Sequence, residues 1–78
     1  MKINPDDLII SVDVKAYEEF HNTKVDIKLS IDRDKYRAGV CIEHIPTGIR
    51  TYENSEKSQY QNRNKALDIL EKKLSELK

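Results

Sequence analysis

Residues 40–53 have the sequence VCIEHIPTGIRTYE and decide the fold, because they combine two short apolar runs with a turn that few residues permit. Pro46 has a fixed φ suited to a type I turn, and Gly48 can adopt the left-handed conformation that starts a bulged hairpin. The stretch therefore predicts an antiparallel hairpin. Its first strand runs from about Tyr36 to His44, and the returning strand runs from Ile49 to Glu53.

The N-terminal segment alternates apolar and polar residues, which is the pattern of a strand with one buried face. Its alternating apolar positions begin directly after Asp7 and are Leu8, Ile10, Val12 and Val14. Residues 15–21 lack both alternation and turn residues. Two interpretations of them stay open: one or two helical turns, or the tip of a long hairpin.

A second alternating segment, Lys24–Ile31, precedes the hairpin. Its apolar residues share one side of an extended chain and are Val25, Ile27, Leu29 and Ile31. This pattern predicts an additional strand with one solvated face. The charged residues 32–35 that follow are predicted to form a turn.

The last third of the chain changes to the period of a helix. Its apolar positions fall within an arc of about 160° at 100° per residue; they are Ala66, Leu67, Ile69, Leu70, Leu74 and Leu77. Ser58 followed by Gln61 has the form of a capping box, so a helix is predicted from Ser58 to Leu77. The sequence thus predicts one α+β domain over residues 1–78, a small antiparallel sheet of three to four strands covered on one face by a long C-terminal helix.

Composition excludes several classes of function. Fourteen basic and fourteen acidic residues cancel, so any surface that attracts nucleic acid must be local. The two glycines, Gly39 and Gly48, are too far apart to form a phosphate-binding loop. One cysteine and two histidines do not supply a disulfide or a structural zinc site, so neither a metal nor another cofactor is expected.

The hydropathy pattern bears on location. No apolar run approaches the roughly 20 residues that a membrane span needs, and the first residues lack the apolar segment of a signal peptide. A single cysteine is typical of a reducing compartment. We therefore expect a cytoplasmic protein that does not bind a membrane.

Residues 38–70 resemble the end of the peptidyl-tRNA hydrolase domain of bacterial class I peptide chain release factors. In that family a strand, a His-Ile/Leu-Pro-Thr-Gly-Ile turn, a second strand and a helix opening with Ser-Gln follow in this order. Here the turn reads HIPTGI at residues 44–49. The helix matches at Ser58-Gln59, Asn62, Arg63 and Lys65-Ala66-Leu67. INPDDL at residues 3–8 is similar to the entry into the family's first strand.

This resemblance implies a scaffold without its catalytic element. Release factors carry Gly-Gly-Gln in a flexible loop between the first two strands, where this chain has residues 13–37 and no glycine. In the family the glycines permit a compact backbone path, and the glutamine main-chain amide helps to position water. The chain is therefore expected not to be an enzyme, and its catalytic loop is expected to be replaced by ordered structure.

The resemblance also implies a partner and a site. The expected function is a non-catalytic, translation-related module that binds the ribosome or structured RNA through the C-terminal helix. The candidate RNA-binding residues lie on this helix or just before it: Lys57, Ser58, Gln59, Tyr60, Asn62, Arg63, Lys65, Lys72 and Lys73. Tyr60 could stack on a base, although a tyrosine near a helix start more often packs against the sheet. A structural role in the turn is expected for His44, Pro46, Thr47 and Gly48.

A second class of function stays open. The chain could be a protein–protein interaction module without RNA contact, using the exposed edge of the strand predicted at Lys24–Ile31 or the leucine stripe of the helix. The partner would be another protein or a second copy of the chain.

Overall fold

The computed structural model describes residues 3–77 and contains three strands and three α-helices within that range. In chain order these elements are β1 (Leu8–Val12), α1 (Asp13–His21), α2 (Arg33–Ala38), β2 (Val40–His44), β3 (Ile49–Glu53) and α3 (Gln59–Ser75). The strands form one antiparallel sheet in the order β1-β2-β3, and α3 packs on one face of it. The predicted α+β fold, with a sheet covered by the C-terminal helix, is confirmed.

The β2–β3 hairpin reverses at residues 45–48, as its sequence predicts. Gly48 has a φ of +74°, and its N–H donates to the His44 carbonyl at 2.7 Å. Thr47 Oγ1 lies 2.9 Å from His44 Nδ1 and accepts a hydrogen bond from the Ile49 N–H at 3.3 Å. The turn is therefore held by hydrogen bonds among its own residues.

The register of the sheet determines which side chains face α3. Ile42 pairs with Ile10 on β1 and with Thr51 on β3, so these three side chains share one face. The buried core on this face consists of Val40, Ile42, Ala66, Leu70 and Leu74. Thr51 Oγ1 also donates to the Ala66 carbonyl at 3.0 Å. Burying each large aliphatic side chain contributes roughly 1.5–3 kcal/mol, which makes this face the main source of stability.

The opposite face of the sheet is covered by α1. Cys41 lies on this face and is only 3% exposed, and Ala16 of α1 is fully buried. Ser11 Oγ donates to Glu19 Oε2 at 2.5 Å, which joins β1 to the helix. Of the two interpretations of residues 15–21, the helical one is correct. The strand predicted as far as Val14 ends at Val12, because the chain turns into α1 at Asp13, whose φ is +67°.

A cluster of aromatic rings packs between α1, α2 and β3, and the sequence analysis did not predict it. The Tyr17 ring stacks on His21 with centroids 4.0 Å apart and meets the Tyr36 ring edge-on at 4.8 Å. Phe20 stacks on Tyr52 at 5.5 Å. The spacing i, i+3, i+4 of the three α1 rings is the signal that places them on one helical face.

The strand predicted over Lys24–Ile31 is wrong. Ile27–Leu29 forms a 3-10 turn, and Asp26 Oδ1 accepts a hydrogen bond from the Lys28 N–H at 3.0 Å. A side chain that bonds the backbone two residues further on favours a turn over extended structure. Alternation supplies an apolar face, but a strand also needs a neighbouring strand to pair with.

The strand predicted from about Tyr36 begins only at Val40, and the predicted charged turn at residues 32–35 is also wrong. Residues 33–38 form α2, because RDKYRA lacks alternation and is rich in residues that favour helices. Gly39 follows, and a Cβ there would lie 3.0 Å from Tyr52 Cζ. Its missing side chain lets the start of β2 approach this ring.

The predicted C-terminal helix is confirmed with small changes at its ends. Ser58 is the N-cap, and its Oγ accepts a hydrogen bond from the Gln61 N–H at 3.4 Å. The helix ends at Ser75, so Leu77 lies outside it and is 63% exposed. Among residues 3–77, no helix combines the length and apolar character needed to cross a bilayer.

Replacing Gly48 with valine should destabilise the protein through the backbone alone. A Cβ at this position would meet no atom within 4 Å, so no clash contributes. The left-handed conformation costs a residue with a side chain roughly 1–2 kcal/mol, and a β-branched residue lies at the upper end. Urea denaturation should measure this loss. Gly48→Asn is the matched control and should lose less, whereas equal stability of Gly48→Val and the wild-type protein would contradict the assignment.

Candidate nucleic-acid interface

Asn62 fixes the start of α3 to the sheet. Its side chain is fully buried, and Nδ2 donates to the Ala38 carbonyl at 2.6 Å and to the Glu56 carbonyl at 3.0 Å. Its Oδ1 accepts a hydrogen bond from the Glu56 N–H at 3.0 Å. One amide thus joins α3 to the end of α2 and to the loop that follows β3. Its polar groups are directed into the protein.

The two residues that open the helix also bond within the protein. Ser58 caps α3, and Gln59 Nε2 donates to the Arg37 carbonyl at 2.7 Å. With Asn62, these contacts connect the first turn of α3 to the last turn of α2. The Ser-Gln and Asn positions of the matched motif therefore determine where the helix begins and how it is oriented.

Lys65 lies on α3 but is paired with an acidic side chain. Its Nζ is 2.7 Å from Glu56 Oε2 and 3.2 Å from Ser55 Oγ. The hydrogen bond to the Glu56 carboxylate raises the pKa of Lys65 above its usual value. An exposed pair of this kind adds little stability, but it neutralises the charge of Lys65 locally. Sequence reasoning did not identify Glu56 as the partner of Lys65, because the folding of the loop after β3 brings the two residues together.

Tyr60 and Arg63 form a pair near the start of α3, in which Tyr60 is exposed and Arg63 is half-buried. The Tyr60 side chain is 65% exposed, so the expectation that it packs against the sheet is wrong. The guanidinium carbon of Arg63 lies 5.2 Å from the centroid of its ring, within the range of a cation–π contact. Arg63 Nε is buried and has no hydrogen-bond partner among the described residues. The pair presents an aromatic surface and a positive charge side by side.

The basic residues of α3 do not share one face. At 100° per residue, Arg63 and Lys65 point about 160° apart, whereas Lys72 points within about 20° of Lys65. Lys73 lies about 100° from Lys72, on the opposite flank from Tyr60. The nine candidates therefore divide into four that bond within the protein, the Tyr60–Arg63 pair, two lysines further along the helix, and Lys57.

Lys57 lies just before the helix and lines an open cleft of about 610 Å³ between α2 and the loop after β3. The charged residues around this cleft are Asp32, Asp34, Lys35, Arg37, Glu56 and Lys57. Three are acidic and three are basic, so the cleft has no net charge to concentrate an anionic ligand. Lys57 lines this cleft and lies three residues before Tyr60 in the sequence.

The remaining reactive side chain lies away from α3. Cys41 is buried beneath α1, and this burial raises the pKa of its thiol. The thiolate is therefore disfavoured at neutral pH, which does not suit a nucleophile. The HIPTG turn is also distant, because it lies at the end of β2, whereas Asn62 bonds Ala38 at the beginning of that strand.

The chain matches no model of a known protein family. Its candidate interface is therefore defined by contacts within the chain. We define the helix-start site as the Tyr60–Arg63 pair and the exposed Lys57, which precedes α3 by two residues.

Removing the Asn62 amide should cost more than any other polar substitution on α3. In Asn62→Ala the Ala38 carbonyl and both backbone groups of Glu56 lose their partner, and each buried unpaired group costs roughly 1–3 kcal/mol. Urea denaturation should give a loss of roughly 2–4 kcal/mol. The exposed Gln61→Ala is the matched control and should change stability by less than about 0.5 kcal/mol. Similar losses in both variants would contradict the role of Asn62.

Proposed function

We propose that this chain is a non-catalytic module with the scaffold of a release-factor hydrolase domain, and that it contacts ribosomal or other structured RNA through the helix-start site. The proposal is supported by the order of the HIPTG hairpin, the returning strand and the Ser58-capped helix. Fold alone does not carry chemistry, so the function must come from the site.

The observation that carries the proposal is the contact of the exposed Tyr60 ring with the half-buried Arg63 guanidinium. Proteins that bind unpaired RNA bases stack them on aromatic rings or on arginine guanidinium planes, and both groups are present here within 5.2 Å of each other. The contacts of Asn62 and Gln59 hold the first turn of α3 in place. The pair is therefore presented on a fixed element, which lowers the entropy cost of binding.

The absence of catalysis is supported by the segment that stands in place of the release-factor loop. Residues 13–37 contain no glycine, and α1 within them is packed on the sheet through Ala16 and Ser11. The anchored helix α1 does not extend as a mobile finger, and the rest of the segment has no glycine. The module would bind ribosomal or other structured RNA without hydrolysing the ester bond of peptidyl-tRNA.

The charge balance sets the strength of the interaction. With Lys65 already paired, the helix-start site has two cations to contact phosphates, Lys57 and Arg63. Neutralising roughly two phosphates would give a slope of about −1.5 to −2 for log K against log salt concentration. Binding should therefore be of modest affinity, with a substantial contribution from stacking.

Co-sedimentation with ribosomes, and titration of a structured RNA with unpaired loop bases, test this function. Tyr60→Ala should weaken binding by roughly tenfold, because stacking of one base on an aromatic ring contributes about 1–3 kcal/mol. Arg63→Glu should weaken it further and reduce the salt slope. The charge-matched control is Lys15→Glu on α1, where the lysine side chain is 75% exposed on the other face of the sheet. Loss of binding with Lys15→Glu equal to that with Arg63→Glu would contradict the site, and no ribosome binding at low salt would contradict the function.

A second candidate function is protein–protein interaction, and a specific observation favours it. The strand edge proposed for this role at Lys24–Ile31 does not form, but β1 is an edge strand whose Ile9, Ile10 and Val12 side chains are 43–50% exposed. Edge strands with exposed apolar residues add strands from other chains. This surface lies on β1, while the helix-start site lies beside β2, so both functions are compatible.

A further inference from the structure

The outer edge of β1 has backbone groups that can pair with another strand. Ile45 N–H donates to the Asp7 carbonyl at 2.8 Å, and Asp13 N–H donates to the Gly39 carbonyl at 3.0 Å. Hydrogen-bonded and non-hydrogen-bonded pairs alternate along an antiparallel ladder, so Ile9 and Ser11 also bond towards β2. The N–H and C=O of Ile10 therefore point away from the sheet, at the centre of its open edge.

This edge lacks the features that normally prevent strand addition. The sequence LIISV of β1 contains no lysine, no proline and no charged residue. Its register with β2 is continuous over all five residues, so no bulge twists the edge away. Ile10 and Val12 are each 43% exposed. They lie on the face of the sheet that α3 covers at the neighbouring strands. A strand added here would bury both side chains.

The chain also contains an alternating segment that the fold does not use as a strand, residues 24–31, in which Val25 and Ile27 are half-buried. Leu29 is 82% exposed and Ile31 is 104% exposed, so two large apolar side chains project into solvent. The segment is held by backbone hydrogen bonds from Leu29 N–H to Asp26 at 3.0 Å and from Ser30 N–H to Ile27 at 3.3 Å, and by the Val25 N–H, which donates to Glu18 Oε2 of α1 at 2.8 Å. In an added strand the Val25 and Leu29 N–H groups would bond to β1 in place of these partners.

The two features match in pattern. In an antiparallel pairing with Ile27 opposite Ile10, Val25 lies opposite Val12 and Leu29 lies opposite Leu8. All three apolar pairs then fall on the face of the sheet that carries α3, and the polar positions of the segment fall on the other face. An amphipathic strand with one solvated face is the kind of strand that such an edge accepts.

The two features also match in charge. The same register places Lys24 directly opposite Asp13 and Lys28 diagonal to Asp7, while Asp26 lies opposite Ser11 and diagonal to Asp13. Pairing of β1 with β1 of another copy about Ile10 would instead place Asp7 opposite Asp13 at both ends. Like charges directly opposite each other destabilise a strand pair. Complementarity therefore favours the segment over a second β1.

We propose that residues 24–31 of one copy add as a fourth strand to the open edge of β1 in a second copy. This inference rests on the second candidate function and names its partner as another molecule of the same chain. The donor segment and the acceptor edge are different surfaces, so the interface is heterologous. The helix-start site takes no part in it.

Sedimentation analysis from low micromolar to submillimolar concentration tests the proposal. The wild-type chain should associate with rising concentration. Two variants should each weaken association by roughly tenfold or more: Ile10→Pro, which removes the outward N–H of the acceptor, and Leu29→Gln with Ile31→Gln, which removes the exposed apolar groups of the donor. If circular dichroism shows that Ile10→Pro does not fold, Ile10→Lys is the acceptor variant. The control, Ile45→Gln with Leu77→Gln, removes comparably exposed apolar groups elsewhere and should associate like the wild-type chain.

Mixing distinguishes this interface from any symmetric one. The acceptor variant keeps an intact donor segment, and the donor variant keeps an intact edge, so an equimolar mixture should form a 1:1 heterodimer although each is monomeric alone. A wild-type chain that stays monomeric at every concentration, a mixture that stays monomeric, or loss of association in the control would each overturn the proposal. The donor variant, Leu29→Gln with Ile31→Gln, retains Tyr60 and Arg63, so its failure to self-associate leaves the RNA measurement unaffected.

Discussion

The buried amide of Asn62 is the contact that determines how the helix lies on the sheet. The apolar stripe of α3 contributes stability but little directional control, because hydrophobic burial is not directional. The three hydrogen bonds of Asn62, to Ala38 and to both backbone groups of Glu56, permit one position only. They fix the first turn of α3, and with it the orientation of Tyr60 and Arg63.

The same constraint explains why residues of one motif have different roles. Three polar residues of this motif lie on or beside the first turn of α3. Ser58 caps the helix, Gln59 bonds to α2, and Asn62 bonds to the loop after β3. Tyr60 lies between them in sequence and Arg63 follows directly after Asn62, but the Tyr60 ring is largely exposed and the Arg63 guanidinium lies beside it. The helical period thus separates the polar residues that orient the element from those that are free to contact a partner.

The parts of the fold that sequence predicts are those encoded by local chemistry. The hairpin follows from Gly48 and Pro46, and the start of α3 follows from Ser58. The failed strand at Lys24–Ile31 had the correct alternation, but alternation does not encode a pairing partner, and the Asp26 turn replaced it. The packing of α1 over Cys41 and the Glu56–Lys65 salt bridge were not predicted, because both depend on contacts between residues distant in sequence. Within the candidate site, composition identified the basic residues, but only the helical geometry separated Arg63 from Lys65.

Native-state amide hydrogen exchange tests the role of Asn62 most directly. The Glu56 N–H lies in a loop, where exchange is ordinarily fast, but it donates to a fully buried acceptor. We expect this amide to exchange as slowly as that of Ile42 in the central strand, that is, only through global unfolding. Exchange of the Glu56 amide as fast as that of Lys28 in the exposed segment would contradict it.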